Sequence, residues 1–498
     1  MVQSASDSWD VLVAGDEVES ILTAVSAARM GTTTLLVRRS AGPLGGLSTR
    51  GGLSYMDITP DYTGPLFQEF LDRCGVVRVA LDPNKAADTL ADMLDDAGVT
   101  MISGLPAYCL AWDDENQTTP AGLFTAEREL LSAKIIVDGT PDAEVARQTQ
   151  MTYTKGLGGL LQQLDNTRTQ NFLGVSPVFQ LTGVEVSALQ VFEEQIRQRP
   201  DLAQLLKTAM PFQPEDVIEE LLTRPTFAPP DMDYLDILNP AIGIIYHEWK
   251  HGEVDSYADA PIVIDGGNIA RLPNGVLAWN GMVMRLESLE EQLMLSQGAA
   301  VPQVLINEME RFQQFLQEVG KFSHANIIPP TEIYVRQTIN MHTRHVMTAR
   351  EMITGGVAKE EAIGAFSYWL DLRGVNGWQQ LCGDKLPKPI FNVGLDVGRC
   401  KEPELANFAI VSRAAGYSPL GQGAGRIVQH NALLGEGIGI AAAMAVETQS
   451  GLLNIQAQEV YKIMSSRLGQ PLPQKGNSTW PASILNTSRL LKIDETLR

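Results

Sequence analysis

Two stretches of this 498-residue chain carry side chains at chemically suggestive spacing. The first is His247-Glu248-Trp249-Lys250-His251. On a helix, H-E-x-x-H puts two imidazoles on one face, as zinc hydrolysis requires, with the glutamate as base. Lys250 sets a cation beside that site and no third ligand is evident, so no metal is expected. His342 and His345, three residues apart, are likewise expected to be solvated or packed rather than ligands. The second stretch is Gly15-Asp16-Glu17-Val18-Glu19-Ser20. It occupies the place of a G-x-G-x-x-G dinucleotide turn, whose glycines let the backbone approach a pyrophosphate at a helix N-terminus. Only Gly15 matches; Glu17 and Ser20 stand at the other two glycine positions.

The elements around that turn are legible from periodicity. Trp9 to Gly15 is short, apolar and β-branched, a buried strand. Val18, Ile21, Leu22, Val25 and Ala28 fall at helical spacing, with Gly31 as the stop. Thr32 to Val37 is a second strand, so the three form a right-handed βαβ unit. Lys85 to Ala97 predicts an amphipathic helix and Val99 to Ile102 another strand. Three strand-like pieces, 107–112, 122–126 and 129–137, predict a β-meander. Helical stretches such as Val301 to Val319 then alternate with Pro-rich connectors. Phe408 to Ser412 is a late strand, and Ile427 to Val446 a glycine-containing late helix.

Three glycine-rich motifs complete the pattern: Gly45-Gly46-Leu47-Ser48-Thr49-Arg50-Gly51-Gly52, Asp138-Gly139-Thr140-Pro141-Asp142, and Gly435-Glu436-Gly437-Ile438-Gly439. Together they make the chain resemble the FAD-dependent oxidoreductases of the glutathione-reductase-like, two-dinucleotide-binding-domain flavoprotein superfamily, over about 10–460. The resemblance implies an α/β fold: a Rossmann-like FAD-binding domain with a parallel sheet and a β-meander, plus an inserted α+β substrate domain. The expected boundaries are 1–150 with 395–465 for the discontinuous FAD domain, 151–394 for the substrate domain, and 466–498 for a tail over the surface. The resemblance also implies non-covalent FAD. Its cofactor-binding residues would be Gly15, Arg38, Gly45, Gly46, Ser48, Thr49, Thr140, Arg413, Gly435 and Gly439, with the flavin near Gly45, Gly46 and the start of the late helix.

The chain departs from the family in its turn. Arg38 stands where an acidic residue would grip the adenosine ribose. A carboxylate ~4 Å from one pyrophosphate charge costs on the order of 4 kcal/mol at an effective dielectric near 20, against ~0.3–1 kcal/mol returned by the helix N-terminus. If Glu17 points inward, FAD should therefore bind roughly three decades more weakly. The alternative is Glu17 swung out to solvent, with Arg38 or Arg39 reaching across to it.

On the substrate side, Tyr334-Val335-Arg336-Gln337-Thr338 resembles the family's R-E-S/T stretch, and Ser367-Tyr368-Trp369-Leu370-Asp371-Leu372-Arg373 its S-Y-P-x-D-x-H stretch. Arg344-His345 lies between them. Arg336, His345, Asp371 and Arg373 are thus the candidate catalytic residues. The two arginines favour a small anionic or carbonyl-containing substrate. An interdomain ion network is the plain alternative for all four.

The remaining classes are bounded by composition. Thirty-eight Lys and Arg against 59 Asp and Glu give a formal charge of −21, which argues against nucleic acid as a partner. The longest apolar run, Gly437 to Val446, is too short to span a bilayer. No secretory signal is evident, so the expected location is cytoplasmic. Two further readings stand beside the flavoenzyme: an inactive flavoprotein-derived binding or scaffold protein that has lost FAD, and a nucleotide sensor using Arg38 for a 2′-phosphate.

Overall fold

The computed structural model describes residues 8–113, 119–211, 215–223, 233–237, 241–254, 260–375, 386, 388–401, 405–475 and 488–498. Apolar strands at the N-terminus pair side by side because each is buried on both faces. β1 (Trp9–Ala14) lies between β2 (Thr34–Val37) and β6 (Leu130–Asp138), parallel to both. β3 (Thr100–Ile102) extends the sheet beyond β2. β4 (Cys109–Trp112) and β5 (Pro120–Phe124) join β6 as an antiparallel meander. β6 is long enough to serve both: Leu130–Ser132 close the meander, while its second half pairs β1 on one side and the late strand β16 (Phe408–Ile410) on the other. A strand some 270 residues downstream thereby returns to the N-terminal sheet.

The five-stranded second sheet is antiparallel at every described pairing. Its order is β12 (Asn326–Ile328), β8 (Phe179–Thr182), β11 (Leu277–Met284), β10 (Ile262–Arg271) and β9 (Tyr234–Ile237). Two short ladders, β7 (Tyr153–Lys155) with β13 (Ile339–Met341) and β14 (Ala362–Ser367) with β15 (Ile390–Gly394), complete the strands. The fold is therefore mixed α/β with a largely parallel first sheet. Buried apolar side chains separate into two main cores. One gathers the N-terminal sheet, the 339–397 stretch and the late helix; the other runs from Val175 to Val335 around Phe179, Tyr246, Trp279, Phe312 and Phe315.

The first helix, Val18–Ala28, and the late helix, Val428–Glu447, are buried along almost their whole length and pack on each other. Glycine makes the approach possible. A Cβ on Gly435 would lie 2.6 Å from Thr23 Oγ1 and 2.7 Å from the Glu19 carbonyl, and one on Gly439 would run into the Thr23 carbonyl. Both were expected beside the flavin; the structure instead sets them two and three turns into the late helix, against the first helix.

In the helix carrying the H-E-x-x-H run, Ala241–His251, the residues from Ala241 to His247 are buried in the second core. The last residues were expected to drape over the surface. Instead the terminal helix, Arg489–Thr496, buries Asp494, whose carboxylate accepts from Ser418 Oγ (2.6 Å), Leu420 N (2.7 Å) and Ala349 N (3.1 Å).

Because the obstacle at Gly439 is backbone, the site cannot relax by a rotamer change. Gly439→Ala should destabilise the protein by ~1–3 kcal/mol, read as a lowered denaturation midpoint with an unchanged slope in urea.

Candidate functional site

The dinucleotide turn is built by three close backbone approaches. Gly15, with φ +120°, follows β1, and a Cβ there would meet the Gly139 carbonyl at 2.6 Å. Ser20 Oγ donates to that same carbonyl at 2.7 Å. Across from them Gly45 (φ +98°) and Gly46 (φ +44°) form the tight turn after β2. A Cβ on Gly46 would meet the Glu17 carboxyl, which would then have to move away.

Glu17 thus points inward. It is the N-cap residue of the first helix, yet its side chain makes no capping bond. It crosses to the Gly45–Gly46 turn and accepts from Leu47 N at 2.9 Å. Partial burial, with Glu19 and Asp16 nearby, raises the proton affinity of its carboxyl. Arg38 does not reach across to Glu17. It is buried, 3.1 Å from Asp16 Oδ2, and bonds the Gly42 carbonyl. Arg39 pairs instead with Glu144. Arg50 holds Asp16 with both terminal nitrogens (2.9 and 3.2 Å) and Glu332 with Nε (2.6 Å). The chain Arg38–Asp16–Arg50–Glu332 therefore lines the mouth of the turn and ties it to the end of the second core.

The other expected cofactor residues are mostly engaged in the turn's own structure. Thr140 Oγ1 donates to Asp138 Oδ1 (2.6 Å) and accepts from Glu144 N (2.7 Å). Thr49 Oγ1 donates to the Gly46 carbonyl. Arg413 pairs with Asp142 at 3.0 Å. Ser48 differs: its hydroxyl is buried and has no hydrogen-bond partner among the described residues.

A second cluster surrounds the start of the late helix. Arg426, immediately before it, donates to Tyr334 Oη (2.6 Å) and Asp371 Oδ2 (2.7 Å). Arg336 stacks on the Tyr334 ring, 4.2 Å from its centroid, and donates to the Gly174 carbonyl and Ser176 Oγ. Burial lowers the Arg336 guanidinium to about 10, and Arg373 and Arg426 add to that. Asp57, raised by burial, bonds Tyr368 and feels Arg426, Asp371 and Arg373. Beside this group, Leu53, Met56, Asp57, Phe67, Tyr334 and Gln429 bound a cavity of about 20 Å³, room for one water. Of the four expected catalytic residues, Arg336, Asp371 and Arg373 come together here. His345 does not. Its Nε2 pairs with Glu351 at 2.8 Å, which outweighs burial and raises the imidazole.

Sequence reasoning missed Asp57, Tyr334 and Tyr368 as participants, and also Arg426. The available signal was position: Arg426 directly precedes the late helix, and Tyr334 lies two residues before Arg336. In the H-E-x-x-H run, His247 Nε2 accepts from Ile264 N (3.1 Å), while burial and Lys250 hold the ring down to about 4. Glu248 pairs with Arg199 and Lys250 with Glu308. Among the described residues no group of three or more His, Cys, Asp or Glu is placed to hold a metal. Among them, too, no helix is long and apolar enough to cross a membrane.

The model of the FAD dependent oxidoreductase family matches residues 10–464, and the chain belongs to that family. FAD is the cofactor that this membership carries. A search of curated proteins gives no match. Similar solved structures include a geranylgeranyl bacteriochlorophyll reductase-like protein from Thermoplasma acidophilum, 10% identical over 99% of this chain and 100% of that one, with a TM-score of 0.38. Anhydrotetracycline hydroxylase from Streptomyces rimosus is 8% identical over 98% of this chain and 69% of its own, with a TM-score of 0.40. A myxobacterial FAD-dependent halogenase of chondrochloren is 10% identical over 93% and 79%, with a TM-score of 0.39.

As arranged here, the turn does not fit a dinucleotide. The Glu17 carboxyl lies over Gly46 at the helix N-terminus, where a pyrophosphate belongs. The cavity near the late helix is also far below the ~300 Å³ at which ligand pockets begin.

Buried carboxyls around this domain also set its pH response. Glu436, in the late helix, accepts from Leu66 N (3.0 Å) and faces Arg467, yet burial pushes it up from 4.5 to about 7. The folded state then holds more protons than the unfolded one between those values, so stability falls as pH rises through that window. Each tenfold gain in proton affinity is worth ~1.4 kcal/mol. Glu436→Gln keeps an acceptor for Leu66 N, and it should flatten the decline in melting temperature between pH 5 and pH 7 (roughly the titration window).

Proposed function

We propose that the protein is an FAD-dependent oxidoreductase of the glutathione-reductase-like superfamily, with a degenerate dinucleotide turn. Its substrate is a small molecule bearing a carboxylate or carbonyl, and its redox step is hydride exchange with the flavin, the chemistry FAD supplies when bound. The observation that carries the site is the gathering of Asp371, Arg373 and Arg426 with Asp57 and Tyr334 at the start of the late helix. Guanidinium forks there suit a planar anionic group. Arg373 and Asp371 are half-buried and are the proposed substrate contacts. Arg336, holding Gly174, Ser176 and the Tyr334 ring, is a positioning residue. The inserted core of Val175–Val335 supplies the facing wall. His345 has no part in this proposal.

The test is a flavin titration of wild type and of variants opened at Glu17, followed by reduction and then reoxidation with a panel of carboxylates and carbonyl compounds. Bound flavin should be reoxidised faster by a member of the panel than by buffer. Arg373→Ala should slow that step at least ~10-fold, with the melting temperature nearly unchanged. Arg336→Ala should lower the melting temperature. If no form of the protein binds flavin under any condition, the oxidoreductase assignment falls and a scaffold role replaces it.

A further inference from the structure

The βαβ unit places its first helix so that the N-terminus faces the Gly45–Gly46 turn. In a dinucleotide-binding domain that gap belongs to the pyrophosphate, an anion met by backbone N–H groups at a helix start. In this chain the gap holds a carboxyl group belonging to the chain itself. Glu17 leaves its capping position unused and reaches the Leu47 N–H at 2.9 Å. It fills the space over Gly46 that the missing Cβ leaves. One residue further on, Ser48 Oγ is buried without a hydrogen-bond partner among the described residues, the kind of orphan that calls for an explanation in a folded protein. The neighbouring ribose position is also filled from within. Arg38 takes the place of the usual acid and lies against Asp16, which Arg50 and Glu332 hold in turn.

We infer that Glu17 is a built-in plug of the cofactor's phosphate seat: its carboxyl stands in for the pyrophosphate, and FAD is held only when that carboxyl leaves. The inference rests on the oxidoreductase reading for the identity of the ligand, but not for the occupancy, which the Glu17 contacts define. Vacating the seat frees the Leu47 N–H for an incoming phosphate and leaves Gly46, which has no Cβ, beneath it. A bound dinucleotide must break the Leu47 bond before making its own, so removing the plug strengthens binding by at least the worth of that bond.

The experiment measures ADP and FAD binding to the full chain by calorimetry and flavin fluorescence, for wild type and Glu17→Ser. Serine is a good N-cap, so the helix start is preserved, and it is too short to reach Leu47. ADP tests the phosphate seat without the flavin. Glu17→Ser should bind ADP and FAD at least about tenfold more tightly than wild type. Should the serine variant not accumulate as folded protein, Glu17→Gly carries the same expectation. Equal, tight binding of FAD by wild type and variant would overturn the plug and leave the oxidoreductase reading intact. Absence of binding in both would overturn the plug and that reading together.

Discussion

The contact on which the N-terminal domain turns is a half-buried carboxyl against a glycine. Glu17 sits at the point where three backbone segments converge, after β1, after β2 and after β6. Desolvation is the dominant force on it, and the proximity of Asp16 and Glu19 acts in the same direction. Its proton affinity is therefore raised. Repulsion between two anions was the expected obstacle to a phosphate. Arg38 and Arg50 are balanced by Asp16 and Glu332, and the Glu17 carboxyl itself lies over Gly46, as the proposed plug requires.

The same economy of buried acids recurs wherever the domain's segments meet. Asp138 ends β6 and accepts from Thr140, Val145 and Ala146, which folds the Gly139–Asp142 motif back on itself. Glu436 ties the late helix to the helix starting at Pro65 through Leu66 N. Asp494 ties the terminal helix to the Ser418–Leu420 loop and to Ala349. Each accepts backbone N–H groups that secondary structure leaves unpaired, a task for which a carboxylate with several lone pairs is suited. Each is therefore an organising group in the fold, and its elevated proton affinity is the consequence of that burial.

The fold was legible because its signals are local. β1, the first helix, β2 and the meander follow from runs of apolar residues and their periods, and their observed bounds differ from the expected ones by a few residues at most. A late strand at 408–412 was legible too, but its pairing with β6 was not, since a partner some 270 residues away leaves no local signal. Less legible was what the glycines were for. Gly435 and Gly439 look like ligand glycines in sequence, but a G-x-x-x-G spacing serves two packed helices equally well, and only the position of the first helix decides between them. The candidate site was legible in part. Asp371 and Arg373 are close in the chain, and Arg336 joins them through Tyr334. His345 drew attention because imidazoles titrate near neutrality, yet its neighbour in space is Glu351, which spacing does not single out as more than a helix-terminal acid.

A route of contacts runs from the turn to the cluster. Arg50 joins Asp16, in the turn, to Glu332, just before Ile333 and Tyr334. Tyr334 accepts from Arg426 and carries the Arg336 guanidinium on its ring. Leu47, whose N–H holds Glu17, packs with Leu53, Val178 and Tyr334 in a small apolar cluster of its own. Covalent neighbours and direct contacts thus run from Glu17 to Arg426 and its partner Asp371, one of the proposed substrate contacts. Displacing the Glu17 carboxyl frees Leu47 N, and Leu47 is one of the three residues that pack with Tyr334 in that cluster. The filling of the phosphate seat and the packing of the substrate cluster are therefore parts of one arrangement, because both depend on where the Gly45–Leu53 segment lies.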